Sequence, residues 1–379
     1  METAIRKEKL RIALVGPSLR YVGGQSVQAD LLIRHWRNDQ DVESFFVPID
    51  PPLAPPMTWC LKVPYLRTLV REPVYIRNLY RELRNADIVH AFSASYWSFL
   101  LAPAPALIIG HRLGKKVIIN YRSGEAADHL RRFPRAVRLL ASADARVVPS
   151  GYLKRVFAEF GLGADVVPNL VDTSQFTFRV REPLRPRLIC PRGFHPYYRV
   201  DLVVRAFRKI KQAYPDATLC LLGNGPVEGE IRGLVDELKL SGVEFPGPVG
   251  RLAIGSYYDR SDIFINASYV DNMPVSVLEA FGAGTPVVTT SPEGIRYVVE
   301  DGRTGLLCAP GDWERLADNV IALLRKPDLA RCLAQNAFNE SKRYVWEALR
   351  PQWLRLYHSL AGQETKEAVP TNGRSLHRS

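Results

Sequence analysis

The chain has 379 residues, 46% of them hydrophobic, 24% charged and 10% aromatic. That balance excludes a wholly disordered, collagenous or coiled-coil chain, and the length leads to an expectation of two domains. Lys and Arg number 51 against 39 Asp and Glu, a formal charge of +12, so an anionic contact is expected, and charge alone does not choose among nucleic acid, an acidic membrane and phosphorylated small molecules.

The N-terminus, METAIRKEKLRIALVG, carries charges and then only a short apolar run. No stretch reaches the roughly 18 apolar residues of a spanning helix. Neither a signal peptide nor an anchor is expected, and the expected location is cytoplasmic. The five cysteines are far apart and free of a CxxC pairing, which argues against a zinc site or a disulfide framework. In that compartment the sequons at Asn266 and Asn339 are without consequence.

LRIALVG reads as a strand, followed by a glycine-containing turn and a helix from about Ser26 to Trp36. ADIVHAF (86–92), KKVIINY (115–121), ARVVPS (145–150) and ADVVPN (164–169) are short β-branched runs separated by lengths suited to crossover helices. Parallel strands covered on both faces read this way. REPLRPR (181–187) suits an interdomain linker, after which the pattern restarts with LICP (188–191), ATLCLLG (217–223), VEFPG (243–247), DIFINAS (262–268), TPVVTT (285–290) and TGLLCAP (304–310). The expected fold class is α/β, two doubly wound Rossmann-like domains at 1–182 and 183–345. A helix at 346–362, with Trp346 and Trp353 as packing anchors, is expected to return toward the N-terminal domain, and 363–379 is expected to be a flexible tail.

The most informative stretch is NASYVDNMPVSVLEAFGAGTPVVTT (266–290), a strand running into a loop and a helix that starts near Pro274. The opening N–H groups of that helix, through Val275 and Ser276, suit a phosphate. Asp271 lies just before the helix and Glu279 one to two turns in. Carboxylates would repel a phosphate, so if both face the ligand they accept hydrogen bonds from hydroxyls on either side of it, the pattern of a nucleotide sugar. The alternative makes Asp271 a helix cap and Glu279 a surface acid.

This stretch resembles the E-x7-E signature of retaining glycosyltransferases with the GT-B fold, family 4 (group 1) in particular, with Asp271 where the first Glu usually stands and the spacing to Glu279 intact. The trailing EGIRYVVEDGRTGLLCAPGD agrees. VGPSLRYVGGQSVQA (15–29) resembles the family's first loop, in which Gly23 and Gly24 let backbone approach the donor phosphates. LICPRGFHPYYRVDLVVRAF resembles the start of the C-terminal domain, and Arg192 matches the arginine that meets the diphosphate. Its usual lysine companion is replaced by Tyr198 or Arg199, of which Arg199 is the expectation. GNGPVEG (223–229) is not a dinucleotide fingerprint, since it is G-x-G-x-x-x-G and sits late in the chain; the resemblance puts Asn224 near the nucleotide base. Where many relatives carry an acceptor-side histidine, this chain has Tyr121 and Arg122, with His129 nearby as a helical histidine expected to be solvated. His90 is equally compatible with core and site.

The resemblance implies a cleft between two domains and transfer of a sugar from a nucleotide sugar, such as a UDP- or GDP-sugar, to a hydroxyl of a glycan or lipid-linked glycan. Arg192, Asp271 and Glu279 are its catalytic set. It implies no cofactor and no metal, and the D-x-D at Asp39 to Asp41 reads as a charged turn. Arg77, Arg81 and Arg84, following the proline-rich PPLAPPMTW (51–59), share one helical face, and Arg131, Arg132, Arg135 and Arg138 add a second basic cluster. Peripheral contact with the anionic inner face of a membrane and ordinary solvated helix faces stand as alternatives; nucleic acid is not expected, because no recognised module accompanies the charge. The rival functions are a nucleotide-sugar epimerase of the same fold and a non-catalytic scaffold.

Overall fold

A computed structural model describes residues 9–19, 23–53, 64–93 and 95–363. Expectations for the first eight residues, most of the proline-rich loop, Cys60 and the tail from 364 fall outside the described residues.

The buried β-branched runs form two six-stranded parallel sheets. The first contains β1 (Leu10–Gly16), β2 (Val42–Pro48), β3 (Ile88–Ser93), β4 (Lys116–Tyr121), β5 (Ala145–Val148) and β6 (Asp165–Val166), in the order β2-β1-β3-β4-β5-β6. The second contains β7 (Arg187–Pro191), β8 (Thr218–Leu222), β9 (Val243–Gly247), β10 (Ile263–Asn266), β11 (Val287–Thr290) and β12 (Leu306–Cys308), in the order β12-β11-β10-β7-β8-β9. β2, VESFFVP, was absent from the strands read in the sequence; its middle residues are only half-buried, which breaks the continuous apolar signature.

Helices cover both faces of each sheet, so each lobe has two apolar layers. In the first lobe Tyr75, Leu79, Leu107 and Leu140 pack on one face, and Leu31, Leu32 and Trp36 on the other. In the second lobe Val203, Phe207 and Val320 cover one face, and Val277, Phe281 and Tyr344 the other. At about 25 cal/mol per Å² of apolar surface, this burial is the main favourable term in either lobe.

Strand order fixes where a ligand can sit. In each sheet successive crossovers reverse direction at one gap, between β1 and β3 in the first and between β7 and β10 in the second. Neighbouring helices diverge there, leaving a crevice at the carboxyl ends of the strands.

The helix Trp346–Leu360 belongs to the apolar layer of the first lobe, where Leu349, Trp353 and Tyr357 pack with Ile12, Leu14, Trp36 and Ile88. Arg350 donates to both carboxylate oxygens of Asp39, at 2.7 and 3.0 Å, and to Asp41 at 2.7 Å. The D-x-D is thus the anchor for this helix.

The segment read as a linker is tied into the second lobe. Buried Arg181 donates to the carbonyl oxygens of Ser261, Ala283, Gly284 and Tyr258 at 2.6–3.1 Å. Arg187 clasps fully buried Asp262 through two hydrogen bonds at 2.9 and 3.0 Å. Charged residues in a proline-rich run look like a solvated connector, and only the tertiary contacts show that Arg181 is buried and Arg187 is paired.

Candidate active site

Both crevices open onto one cleft of about 570 Å³. Its first-lobe wall includes Gly23, Gly24, Gln25, Ser95, Arg122 and Glu125; its second-lobe wall includes Arg192, His195, Tyr197, Tyr198, Asp271 and Glu279.

The helix Gly24–Trp36 begins at the end of the β1 loop. The Ser26 hydroxyl accepts from the Gly23 N–H at 2.9 Å. A Cβ at Gly23 or Gly24 would meet no heavy atom within 4 Å, so packing does not demand glycine there, and its effect is to leave open volume in the cleft.

Arg192 follows β7 and Asp271 follows β10, the two strands that flank the second gap. The side chains form an ion pair and are 8% and 9% exposed. Arg192 also reaches Ser268 Oγ at 3.4 Å and Ser276 Oγ at 3.5 Å, and its guanidinium lies 3.9 Å from the Tyr198 ring centroid, a cation–π distance. Its Nε has no hydrogen-bond partner. Burial is the largest single influence and would lower the Arg192 pKa, but Asp271, together with Tyr198, Cys190 and Tyr197, outweighs it and holds the guanidinium charged. Burial pushes the Asp271 carboxyl above its usual range, against the pull of Arg192.

The loop carrying Arg192 is backed by the GNGPVEG turn. Gly223 has φ +145, and a Cβ there would come within 2.2 Å of the Arg192 carbonyl oxygen; one at Gly225 would come within 2.3 Å of that of Phe194. These glycines let two backbones touch and thereby seat the arginine loop. The Asn224 carbonyl oxygen accepts from the Phe194 N–H at 2.8 Å, and Asn224 is not among the cleft-lining residues.

The helix Val275–Gly282 begins at the cleft, with Pro274 in the capping position and Val275, Ser276 and Glu279 in the lining. The opening N–H groups of this helix are aimed as an anion requires. The Tyr258 hydroxyl sits 3.1 Å from Glu279 Oε2. Burial raises the Glu279 pKa to about 7, with Tyr258 and Arg251 pulling the other way.

Two expected positions change. Arg199 is not in the lining: it makes a two-pronged pair with Asp201 at 2.9 and 2.8 Å and lies over Tyr269, so the residue facing the cleft beside Arg192 is Tyr198. Tyr121 is fully buried, its hydroxyl 2.8 Å from Nδ1 of His129. That histidine is buried rather than solvated, and burial lowers its pKa to about 4. Strand alternation turns Tyr121 inward and leaves Arg122 at the cleft. His90 is core: it bonds Tyr357 and Asn120, each at 2.8 Å, and burial, aided by Arg122, lowers its pKa to about 3.

Tyr258, His195, Ser95 and Ser123 were not singled out in the sequence. Each is an isolated polar residue in a helix or loop, and no spacing marks it. Among the described residues no group of three or more His, Cys, Asp or Glu side chains is placed to hold a metal ion.

Comparison with known proteins matches the two lobes separately. The family described as glycosyl transferases group 1 covers residues 178–340, and Glycosyltransferase Family 4 covers residues 22–175. Alpha-monoglucosyldiacylglycerol synthase of Acholeplasma laidlawii is 25% identical over 236 residues, 62% of this chain and 58% of that protein. Phosphatidyl-myo-inositol mannosyltransferase of Mycobacterium tuberculosis is 29% identical over 220 residues, 55% of this chain and 58% of that protein. The chain thus matches a little over half the length of these relatives. Among solved structures, sucrose-phosphate synthase of Thermosynechococcus elongatus superposes with a TM-score of 0.73 at 20% identity, covering 93% of this chain and 100% of the other. Anabaena HepE in complex with UDP-glucose gives 0.70 at 17% identity, covering 92% and 100%. With a glycosyltransferase family matched on each lobe and the two-lobed fold shared along almost its whole length, this chain belongs to the GT-B-fold glycosyltransferases, related to group 1 and family 4.

Proposed function

We propose that the protein transfers a sugar from a nucleotide sugar, such as a UDP- or GDP-sugar, to a hydroxyl of a glycan or lipid-linked glycan, with retention of anomeric configuration and without a metal. The observation that carries this reading is a run of contacts along one wall: Asp271 pairs with Arg192, Arg192 reaches Ser276 at the start of the helix Val275–Gly282, and Glu279 follows one turn on. A sugar, a diphosphate and a ribose present hydroxyls, negative charge and hydroxyls in the same order. Arg192 and the helix N–H groups stabilise the departing diphosphate electrostatically, Asp271 holds sugar hydroxyls and Glu279 holds the ribose. No side chain is assigned as a nucleophile, so attack comes from the face the leaving group departs, and the leaving phosphate takes the acceptor's proton.

On this reading the donor occupies the second domain, about 183–345, the acceptor the first, 1–182, and the helix at 346–362 belongs structurally with the first. The two curated relatives described above bear names of glycerolipid chemistry, which supports a lipid-bearing acceptor. A peripheral position on an anionic membrane is supported by exposed Arg77, Arg81, Arg131, Arg132, Arg135 and Arg138 together with Trp97, 69% exposed, which stands edge-on to Phe133. No described helix is long and apolar enough to cross a membrane.

Ligand-observed NMR against UDP-, GDP- and other nucleotide sugars tests the donor site. Selective binding lost in Arg192→Ala and Glu279→Ala is expected; folded protein that binds none of them overturns the reading. Sedimentation with liposomes that contain or lack anionic lipid tests the membrane contact, and failure to pellet with either removes it.

A further inference from the structure

Arg192 has its anion in Asp271, whereas the arginine on the opposite wall has none. Arg122 immediately follows β4 and lines the cleft. Its Nε and Nη1 are shielded from solvent and lack a hydrogen-bond partner, and no carboxylate among the described residues lies within ion-pairing distance. Glu125, three residues on, lines the same cleft and makes no ion pair with it. Two neutral rings lie near the guanidinium: its Cζ is 5.5 Å from the Phe92 ring centroid, and buried His90, whose pKa the Arg122 charge helps to lower, is held uncharged.

Guanidinium nitrogens shielded from solvent and left without an anion are costly. The cost shows in Arg122 itself, whose pKa burial lowers to about 9. Ser123 is the next residue, its hydroxyl 2.9 Å from that of Ser95, and both line the cleft with Arg122 and Gln25. A cation next to two hydroxyls suits a tetrahedral oxyanion, which offers one edge to the guanidinium and further oxygens to the hydroxyls.

We infer that the acceptor carries a phosphate ester and that Arg122, with Ser95 and Ser123, binds it on the first-lobe wall of the cleft. This rests on the reading of the opposite wall as the donor site, because a donor diphosphate held by Arg192 leaves Arg122 for the second substrate. The phosphate belongs to a soluble glycosyl phosphate or to a lipid headgroup, and the chemistry at Arg122 is the same for both.

The test uses the full chain and Arg122→Gln, with Arg122→Lys as the charge-keeping variant and thermal melting to verify folding. Calorimetry with UDP alone reads the donor site. NMR titrations in the presence of saturating UDP then use glycerol 3-phosphate, with glycerol as its neutral counterpart, and monomeric dihexanoyl phosphatidic acid. Binding of at least one phosphate ester but not glycerol is expected, weakened at least tenfold by Arg122→Gln and partly kept by Arg122→Lys, while UDP affinity stays within about twofold. Preference for one phosphate probe identifies the soluble or the lipid source. Loss of UDP binding in folded Arg122→Gln overturns the inference by placing Arg122 at the donor, and so does phosphate binding that the substitution leaves unchanged or that wild type lacks. Failure of wild type to bind any nucleotide or nucleotide sugar would instead count against the donor-site reading.

Discussion

The Tyr258 hydroxyl lies 3.1 Å from the Glu279 carboxylate and 2.8 Å from the Ser276 carbonyl oxygen, so one buried phenol steadies both the first turn of the helix Val275–Gly282 and the acid one turn further on. Tyr258 is fully buried, and its hydrogen bond favours the ionised form of Glu279.

Glu279 gives the protein a pH signature. Its folded pKa, about 7, lies above the ordinary 4.5, so between these values the folded state holds a proton that the unfolded state has released. The contribution of Glu279 to stability therefore falls as pH rises through that window, by an amount on the order of 3 kcal/mol, while buried His90 and His129, with folded pKa values below that of free imidazole, contribute the opposite slope. Melting curves from pH 4.5 to 8 should differ in slope by this amount, with Glu279→Gln gaining stability relative to wild type as pH rises. Tyr258→Phe should raise the Glu279 pKa further, as read by carboxyl-carbon NMR, and cost about 1 kcal/mol of stability.

Removing Arg192 leaves Asp271 buried without its cation. Arg192→Ala should lose about 3 kcal/mol of stability and weaken nucleotide diphosphate binding by roughly tenfold to a hundredfold. Adding Asp271→Asn should restore part of the stability and none of the binding. Denaturant melts and calorimetry on the single and double variants separate the two effects, and recovery of affinity in the double variant would contradict the diphosphate role of Arg192.

Gly223→Ala tests the seat of the arginine loop without touching a cleft side chain. With φ at +145 and the Arg192 carbonyl oxygen 2.2 Å from the new Cβ, the substitution should cost about 2 kcal/mol. It should also reduce nucleotide affinity by about tenfold, because Arg192 moves with its backbone. Gly229→Ala, whose Cβ meets nothing within 4 Å, is the control.

The C-terminal helix supports the first lobe through Trp353, which is 1% exposed and lies 4.7 Å from His90, centroid to centroid. Trp353→Ala should destabilise the protein by about 3–5 kcal/mol. Arg350→Ala should cost less, since its pair with Asp39 and Asp41 is partly solvated. A smaller loss of melting temperature for Arg350→Ala than for Trp353→Ala is the outcome to verify.

The chain's strongest local patterns already determined the doubly wound fold: runs such as KKVIINY and DIFINAS are apolar on both faces, and only a covered parallel sheet buries both. The spacing of Asp271 and Glu279 around Pro274 was equally legible, because a short loop and the first turns of the helix it enters carry all three and local geometry fixes their separation. Tertiary structure alone decided what lies far apart in sequence. It brought Arg192 to Asp271 across the β7–β10 gap, put Tyr198 rather than Arg199 at the cleft, buried Tyr121 with His129, and left Arg122 without an anion. It also buried Arg181 of the REPLRPR segment, paired Arg187 with Asp262, and made the D-x-D an anchor for Arg350. Periodicity records which face a residue takes within its own element; which partner or ligand that face meets is set by strand order and crossover, and these depend on the packing of the whole chain.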